Sequence, residues 1–286
     1  RYTCKILRSS LVTISVVSFL IIIKLIAYFY TGSIIILSVA ADSIFDLIIS
    51  LTSLFLVRIS LKSNTEGILN ILQTLKRKKY KAKLFNAGSG QFYGDNEKNF
   101  YNINSKIEPQ SPYGVSKAAA YWLIKIYREK YNIFCCTGIL FNHESPRRGF
   151  EFVTRKISHG VARIKLGLQR NLKLGNINAL RDWGHAQDYV EAMWLMLQQD
   201  KPDDFVIATG EVRSLGEFLD SSFQHIGITD WSKYVGQDPR FMRPADVFYL
   251  AGDSSKAQSE LGWKPQTSFD TMVERMVKND IEILSK

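Results

Sequence analysis

Two long apolar stretches occupy the front of the chain, and short apolar runs alternating with amphipathic stripes fill the rest. Residues 11–30 contain one charge, Lys24, and a helix of that length, at about 1.5 Å per residue, covers the ~30 Å hydrocarbon layer of a bilayer. After the polar break Thr31, Gly32 and Ser33, residues 34–57 form a second such run that holds Asp42 and Asp46. This pattern predicts a basic tail over residues 1–10 and a transmembrane helix hairpin over 11–60. Beyond it the periodicity changes. Ser63 and Glu66 have capping-box spacing, and Ile68, Leu69, Ile71, Leu72 and Leu75 form one stripe, which predicts a helix to about residue 77. Residues 83–87 read as a short buried strand ending in Gly88-Ser89-Gly90. Helices follow over 114–131, 152–166 and 187–198, with strands over 133–140 and 205–208. Alternation of this kind predicts parallel α/β architecture. Ser214 and Glu217 form another capping box, and Asp253 opens a helix that Gly262 closes, so a small mixed C-terminal lobe is expected.

Composition narrows the classes. With 286 residues, 46% hydrophobic and 22% charged, the chain is neither a disulfide-stapled miniprotein nor wholly disordered. Twelve Lys/Arg against three Asp/Glu in residues 1–83 account for +9 of the formal +10, so the basic excess is local and flanks the apolar runs. That segregation favours phospholipid headgroups over nucleic acid as its partner. Arg1, Lys5 and Arg8 precede the runs and Arg58, Lys62 and the lysine-rich segment 76–83 follow them, which places both ends, and the C-terminal domain, in the cytoplasm. Cys4, Cys135 and Cys136 make no paired framework and read as reduced structural thiols.

Asp42 and Asp46 share one helix face at their spacing of four, and carboxylates inside a membrane are costly enough to suggest a cation site. In this context residues 10–60 resemble the first two transmembrane helices of the cation diffusion facilitator family, whose second helix contributes two acids to a metal site. No later intramembrane ligand follows, so Asp42 and Asp46 form at most an incomplete site.

The main chemistry lies at Ser89, Tyr113 and Lys117. In Ser111-Pro112-Tyr113-Gly114-Val115-Ser116-Lys117, a helix starting near Pro112 puts Tyr113 and Lys117 on one face. An ammonium beside a phenol favours the phenolate and makes tyrosine a usable base. Ser89 stands at a strand end, where open α/β sheets meet their ligands. The three suit removal of an alcohol proton as hydride leaves its carbon. Tyrosine and lysine at this spacing commonly form no more than a solvated helix edge; the strand-end serine is what argues for catalysis.

This set resembles the extended short-chain dehydrogenase/reductases. Residues 140–149, with Asn142-His143-Glu144-Ser145-Pro146-Arg147-Arg148-Gly149, then Phe152-Val153-Thr154-Arg155-Lys156-Ile157, Arg181-Asp182-Trp183-Gly184-His185 and residues 188–194 and 205–210 resemble the GDP-mannose 4,6-dehydratase family. The resemblance spans about 63–286. It implies conversion of GDP-mannose to GDP-4-keto-6-deoxymannose by a carbon–oxygen lyase with internal hydride transfer on NADP. It implies Tyr113 as base, Lys117 as its partner at the nicotinamide ribose, and Ser89 at the catalytic hydroxyl position. Gln91 stands where the family has an acid-base glutamate. Ala87, Leu140, His143 and Arg148 join Tyr113 and Lys117 at cofactor-binding positions. Asn142, Val153 and Lys156 fall at nucleotide-sugar positions, Arg181 and Arg243 at diphosphate positions, and Asp246 at a ribose position. The Arg147-Arg148 segment implies a homodimer or tetramer.

The family's Gly-rich cofactor turn has no counterpart before residue 88, where the apolar runs stand instead. The sequence therefore predicts a partial doubly wound, Rossmann-like parallel sheet with a small mixed substrate lobe over 61–286, preceded by the hairpin. In this reading the cofactor-binding half is missing and Gln91 cannot exchange a proton, so activity is expected to be impaired. The alternatives are a non-catalytic fusion or decay product and a cation efflux fragment.

Overall fold

The structure is a computed structural model that describes residues 22, 61–95, 100–242 and 249–286. The chain divides into two compact units, Arg1–Gly67 and Ile68–Lys286, and the architecture below is that of the second. Leu61–Glu66 is already helical, with π-type hydrogen bonding, and α1 (Gly67–Lys78) follows. Ser63 thus lies within a helix and does not mark its start.

The first sheet is parallel, in the order β1 (Leu84–Ala87), β2 (Cys135–Leu140), β6 (Phe205–Ile207), with Leu84 opposite Cys135 and Gly138 opposite Phe205. Every residue of β2 is buried, as expected for a parallel strand covered on both faces. The neighbouring cysteines show the two faces: Cys135 packs with Leu72 and Ile124 of α1 and α2 (Pro112–Tyr131), and Cys136 with Ala192 and Met196 of α4 (Ala186–Gln198). Burial pushes the two thiols up to about 11 and about 12, consistent with reduced structural residues.

The second sheet is built on β5 (Leu180–His185), flanked by β3 (Asn142–Glu144) and β9 (Tyr249–Leu250) in parallel and β7 (Val212–Ser214) antiparallel. Strand β5 is polar in sequence yet almost wholly buried, because Asp182 is paid in hydrogen bonds: it accepts from the amides of Thr209 at 2.8 Å and Gly210 at 2.9 Å and from the Thr209 hydroxyl at 2.7 Å. A third pair, β4 (Leu172–Leu174) with β8 (Val235–Gln237), is parallel. The C-terminal lobe surrounds Trp183 with Ile157 and Val161 of α3 (Val153–Lys165), Phe218 and Leu219 of α5 (Leu215–Gln224), and Met272 and Met276 of α7 (Phe269–Leu284). The Ser214–Glu217 capping box is present at the start of α5, and Gly262 ends α6 (Ser255–Leu261) at φ 66°.

The parallel sheet and the small C-terminal lobe agree with expectation; the spanning hairpin does not carry over. Residues 11–21 and 23–57, Asp42 and Asp46 among them, lie outside the described residues. Among the described residues no helix is long and apolar enough to cross a membrane. The 20-residue α2 carries Lys117, Lys125, Arg128, Glu129 and Lys130, too many charges for a lipid-facing span. Nor does any group of three His, Cys, Asp or Glu suited to a metal ion occur among the described residues.

Candidate active site

Strand β1 ends at Ala87, and the next position takes glycine because a Cβ at Gly88 would meet Thr137 Cγ2 at 2.7 Å. Ser89 follows as the cap of a single 3-10 turn, Gly90–Phe92, its hydroxyl accepting from the Gln91 amide at 3.3 Å. Phe92 anchors that turn in the core against Tyr93 and Tyr121. Ser89 is consequently fixed, 9% exposed, at the C-terminal edge of the sheet. Gln91 is half-buried in the same turn.

Helix α2 begins as the sequence predicts. Ser111 caps it by accepting from the Gly114 amide at 3.0 Å, with Pro112 in the first turn. Tyr113 is 45% exposed, and the Ser89 side chain acts on its phenol against the effect of burial. Lys117, one turn later, donates to the Ala87 carbonyl at 2.9 Å and lies 5.6 Å from the centre of the Tyr113 ring. Ser89, Tyr113 and Lys117 therefore converge. The electrostatics differ from the sequence argument, however. Burial raises the Tyr113 phenol above its ordinary range, and the opposing influences are the Ser89 hydrogen bond and the Arg148 guanidinium, not Lys117. Burial also lowers Lys117.

The Arg147-Arg148 segment starts where β3 ends. His143 hydrogen-bonds the Phe141 carbonyl at 2.9 Å and stacks on Tyr189, and burial lowers it. Arg148 Nε is 3.2 Å from Glu144 Oε2, and its guanidinium lies 3.5 Å over the Phe152 ring. Glu144, absent from the sequence-derived site, is 2% exposed, accepts from the Thr154 hydroxyl at 2.8 Å, and is pushed up to about 7 by burial. Its sequence signal was its place between His143 and Arg148, which carries no hint of burial.

The remaining substrate positions are more dispersed. Asn142 and Leu140 fall on β3 and β2, and Val153 packs against the C-terminal core. Lys156 lies 3.5 Å over the Phe241 ring, an aromatic partner the sequence did not suggest. Arg181 is 8% exposed on β5, its guanidinium donating to the Leu180 carbonyl at 2.8 Å. Arg243 and Asp246 lie outside the described residues.

A family model described as GDP-mannose 4,6 dehydratase matches residues 42–276. GDP-mannose 4,6 dehydratase 2 of Arabidopsis thaliana is 53% identical over 204 residues, covering 71% of this chain and 54% of that protein. The Homo sapiens GDP-mannose 4,6 dehydratase is 48% identical over 218 residues, covering 71% of this chain and 59% of that protein. The chain thus spans about half the length of these curated relatives. The fold matches the structure of RMD from Pseudomonas aeruginosa complexed with NADPH at TM-score 0.71 and 24% identity, covering 78% of this chain and 74% of that one. It also matches dTDP-glucose 4,6-dehydratase from Bacillus anthracis in complex with NAD at TM-score 0.69 and 21% identity, covering 77% and 68%.

These matches correct the reading of the front of the chain. The family match begins at Asp42, inside the second apolar run, and takes in Asp46 and everything to residue 60. An apolar run has two physical origins, lipid or a core covered on both faces; from Asp42 onward the run belongs to the dehydratase match. The transmembrane hairpin, the cation-facilitator resemblance, the cation-efflux alternative and the membrane location are withdrawn on this finding. So is the expectation that the hairpin displaces the cofactor-binding half, since the fold also extends over 74% of a chain solved with NADPH. With its family match running over residues 42–276, the chain belongs to the GDP-mannose 4,6-dehydratase family of carbon–oxygen lyases.

Proposed function

We propose that this protein converts GDP-mannose to GDP-4-keto-6-deoxymannose, with NADP as an internal hydride carrier. The observation that carries the reading is the convergence of Ser89, Tyr113 and Lys117 at the end of β1, with Arg148 electrostatically coupled to Tyr113. The groups gathered there suit an anionic dinucleotide: a lysine ammonium, a guanidinium and hydroxyls, next to the main chain of Ala87. Lys117, Arg148, His143, Ala87 and Leu140 are the residues that would hold it.

Bound NADP supplies the hydride acceptor for C4 of the mannose ring and the hydride donor for C6. Tyr113, as phenolate, takes the proton of the C4 hydroxyl as the C4 hydride departs. Ser89 hydrogen-bonds that phenolate and stabilises its charge. Ketone formation at C4 acidifies the C5 proton, which leaves together with the C6 hydroxyl as water; C6 then receives the hydride and C5 a proton. Gln91 stands beside this chemistry without an exchangeable proton near neutral pH, so water loss is the expected slow stage. Asn142, Val153 and Lys156 hold the nucleotide sugar in this reading, Arg181 and Arg243 its diphosphate, and Asp246 the ribose.

The test is incubation of the purified chain with GDP-mannose and NADP in heavy water, followed by NMR of the sugar. The expected result is a 4-keto-6-deoxy product deuterated at C5, abolished in Tyr113→Phe. A folded preparation that retains no NADP and yields no keto sugar overturns the reading.

A further inference from the structure

We propose that Tyr189 is a positioning residue for His143, its ring holding the imidazole so that Nε2 is presented to the dinucleotide as a hydrogen-bond acceptor. The inference deepens the reading of His143 as one of the residues that would hold NADP, and rests on it. His143 is the middle residue of β3 and stands opposite Gly184 of β5. Residues opposite one another in a sheet present their side chains to one face, and Gly184 presents none. A Cβ there would come within 2.5 Å of Tyr189 Cε2 and 3.1 Å of the Tyr189 hydroxyl oxygen. The glycine therefore leaves open the place that the Tyr189 ring takes. Tyr189 reaches it from the first turn of α4, which begins directly after β5. Its ring is fully buried and lies against the His143 imidazole, with centroids 4.9 Å apart and planes inclined by 30°. Trp263, itself buried, meets the tyrosine ring edge-on at 6.1 Å and backs it from a second side.

The imidazole is thus fixed by two contacts. Tyr189 covers one of its faces, and Nδ1 lies 2.9 Å from the Phe141 carbonyl oxygen. A carbonyl only accepts, so Nδ1 is the nitrogen that carries the proton. Burial favours the neutral ring, which leaves Nε2 with a free lone pair. The hydrogen bond at one ring nitrogen in this way sets what the other can do, and here Nε2 can accept from a hydroxyl or amide of the dinucleotide. A neutral histidine free in water prefers the opposite tautomer, in which Nε2 would donate. The Tyr189 hydroxyl makes no hydrogen bond among the described residues, so the ring and not the oxygen does the holding.

Nitrogen-15 NMR of the full chain at pH 8 reads the tautomer directly, because protonated and unprotonated imidazole nitrogens differ widely in shift. The chain has four histidines, and His143→Gln identifies the signal. The expected result is a proton on Nδ1 in the wild type and in Tyr189→Phe, and a shift to the Nε2-protonated form in Tyr189→Leu. NADP binding, followed by calorimetry, should weaken about fivefold in Tyr189→Leu and stay within about twofold of wild type in Tyr189→Phe. A wild-type His143 protonated on Nε2, a Tyr189→Leu chain that keeps the Nδ1 proton, or a Tyr189→Phe chain that loses it overturns the proposal. So does wild-type NADP affinity in a Tyr189→Leu chain whose tautomer has changed. If Tyr189→Leu shows no cooperative urea transition, Tyr189→Met, whose longer side chain fills more of the ring's volume, takes its place under the same outcomes. The tautomer is read without GDP-mannose or NADP, so a wild-type chain that takes up no NADP counts against the proposed function, while the NMR signal alone decides whether Tyr189 sets the imidazole.

Discussion

The Lys117 ammonium donates to the main-chain carbonyl of Ala87 at 2.9 Å, joining the second turn of α2 to the last residue of β1. The same nitrogen lies 5.6 Å from the Tyr113 ring centre. One residue thereby sets the distance between the helix that carries Tyr113 and the strand end that carries Ser89. Replacing Lys117 by Met removes a charge-assisted hydrogen bond, which costs about 1–2 kcal/mol of folding stability. Urea unfolding and turnover of GDP-mannose should separate the two effects. Activity is expected to fall at least about 100-fold, beyond what loss of one acid-base or positioning group in a correctly folded site allows to be ignored. A drop that vanishes when both proteins are assayed well below their unfolding midpoints would assign the lysine a purely mechanical role.

Gly114 is a second point at which the site depends on close backbone approach. A Cβ there would stand 2.8 Å from the Gln91 carbonyl oxygen and 3.1 Å from Pro109 Cβ. Main chain cannot yield as a flexible side chain does, so Gly114→Ala should push the start of α2 away from the Ser89 turn. The expected cost is about 1–3 kcal/mol, with turnover falling more than stability because Tyr113 is the preceding residue. Thermal unfolding alongside GDP-mannose conversion checks it; an alanine variant with wild-type turnover would show that the turn has slack.

How far the sequence reveals such features depends on what holds each of them. Strands β2 and β6 are legible because parallel strands buried on both faces leave near-continuous apolar runs. The Ser111 cap and Pro112 likewise announce α2. Strand β5 is illegible because Asp182 is buried by virtue of partners far away in the chain, Thr209 and Gly210 among them. Helix α7 was readable in principle from Ser268 and the stripe Met272, Val273, Met276, Val277, yet the irregular sequence before it obscured the pattern. In the site, helical spacing correctly unites Tyr113 with Lys117. It does not reveal that burial outweighs nearby charge at Tyr113, nor that Arg148 is the cation that matters, since both depend on the tertiary position of the loop after β3. The apolar front of the chain shows the opposite hazard: hydropathy alone does not distinguish lipid from a protein core, and the dehydratase match takes in the second apolar run only from residue 42.

Asp182 is the strongest test of the buried polar framework under the site. Its carboxylate receives the Thr209 amide and hydroxyl at 2.8 and 2.7 Å and the Gly210 amide at 2.9 Å. Burial raises its pKa despite these bonds, so the carboxylate is held at a cost that its partners offset. Asp182→Ala strands several buried donors at once and should destabilise by roughly 3–5 kcal/mol. Asp182→Asn keeps one acceptor oxygen but turns the other toward a donor, and should cost about half as much. Guanidinium unfolding of the two variants would give this order; equal losses would mean that charge, not acceptor number, governs the strand.

Glu144 makes stability depend on pH in a direction opposite to that of most carboxylates. Its folded-state value is raised to about 7 from 4.5. The protein therefore binds this proton more tightly when folded, and the associated stability is full below about pH 4.5 and lost as pH rises through about 7. The span amounts to roughly 3 kcal/mol at 1.36 kcal/mol per unit. Glu144→Gln cannot ionise and lacks this slope. Relative to wild type it should gain about 2–3 kcal/mol between pH 5 and pH 8, whatever its offset from the loss of Arg148 pairing. Urea titrations at the two pH values measure the difference, and parallel curves would place the carboxyl in a far wetter setting.

Gln91 offers the most direct control over the chemistry itself. It lies in the 3-10 turn that Ser89 caps, on the same strand-end loop as the Ser89 hydroxyl. An amide at this point can hydrogen-bond the sugar but can neither take the C5 proton nor deliver one to the departing C6 oxygen. Under the proposed function, oxidation at C4 needs only Tyr113 and its partners, so it should proceed while elimination lags. Gln91→Glu restores a group able to exchange protons, and general acid-base catalysis of this kind contributes about 10²–10⁴-fold. Because the turn is held by Phe92 and by the Gln91 amide, not by the amide side chain, the substitution should leave the fold intact. The expected outcome is at least about a tenfold rise in deuterium incorporation at C5 and in keto-sugar yield, with the C4 oxidation rate unchanged. If both rates stay where they were, proton exchange at C5 belongs to another group, and the position of Gln91 in the turn has no bearing on water loss.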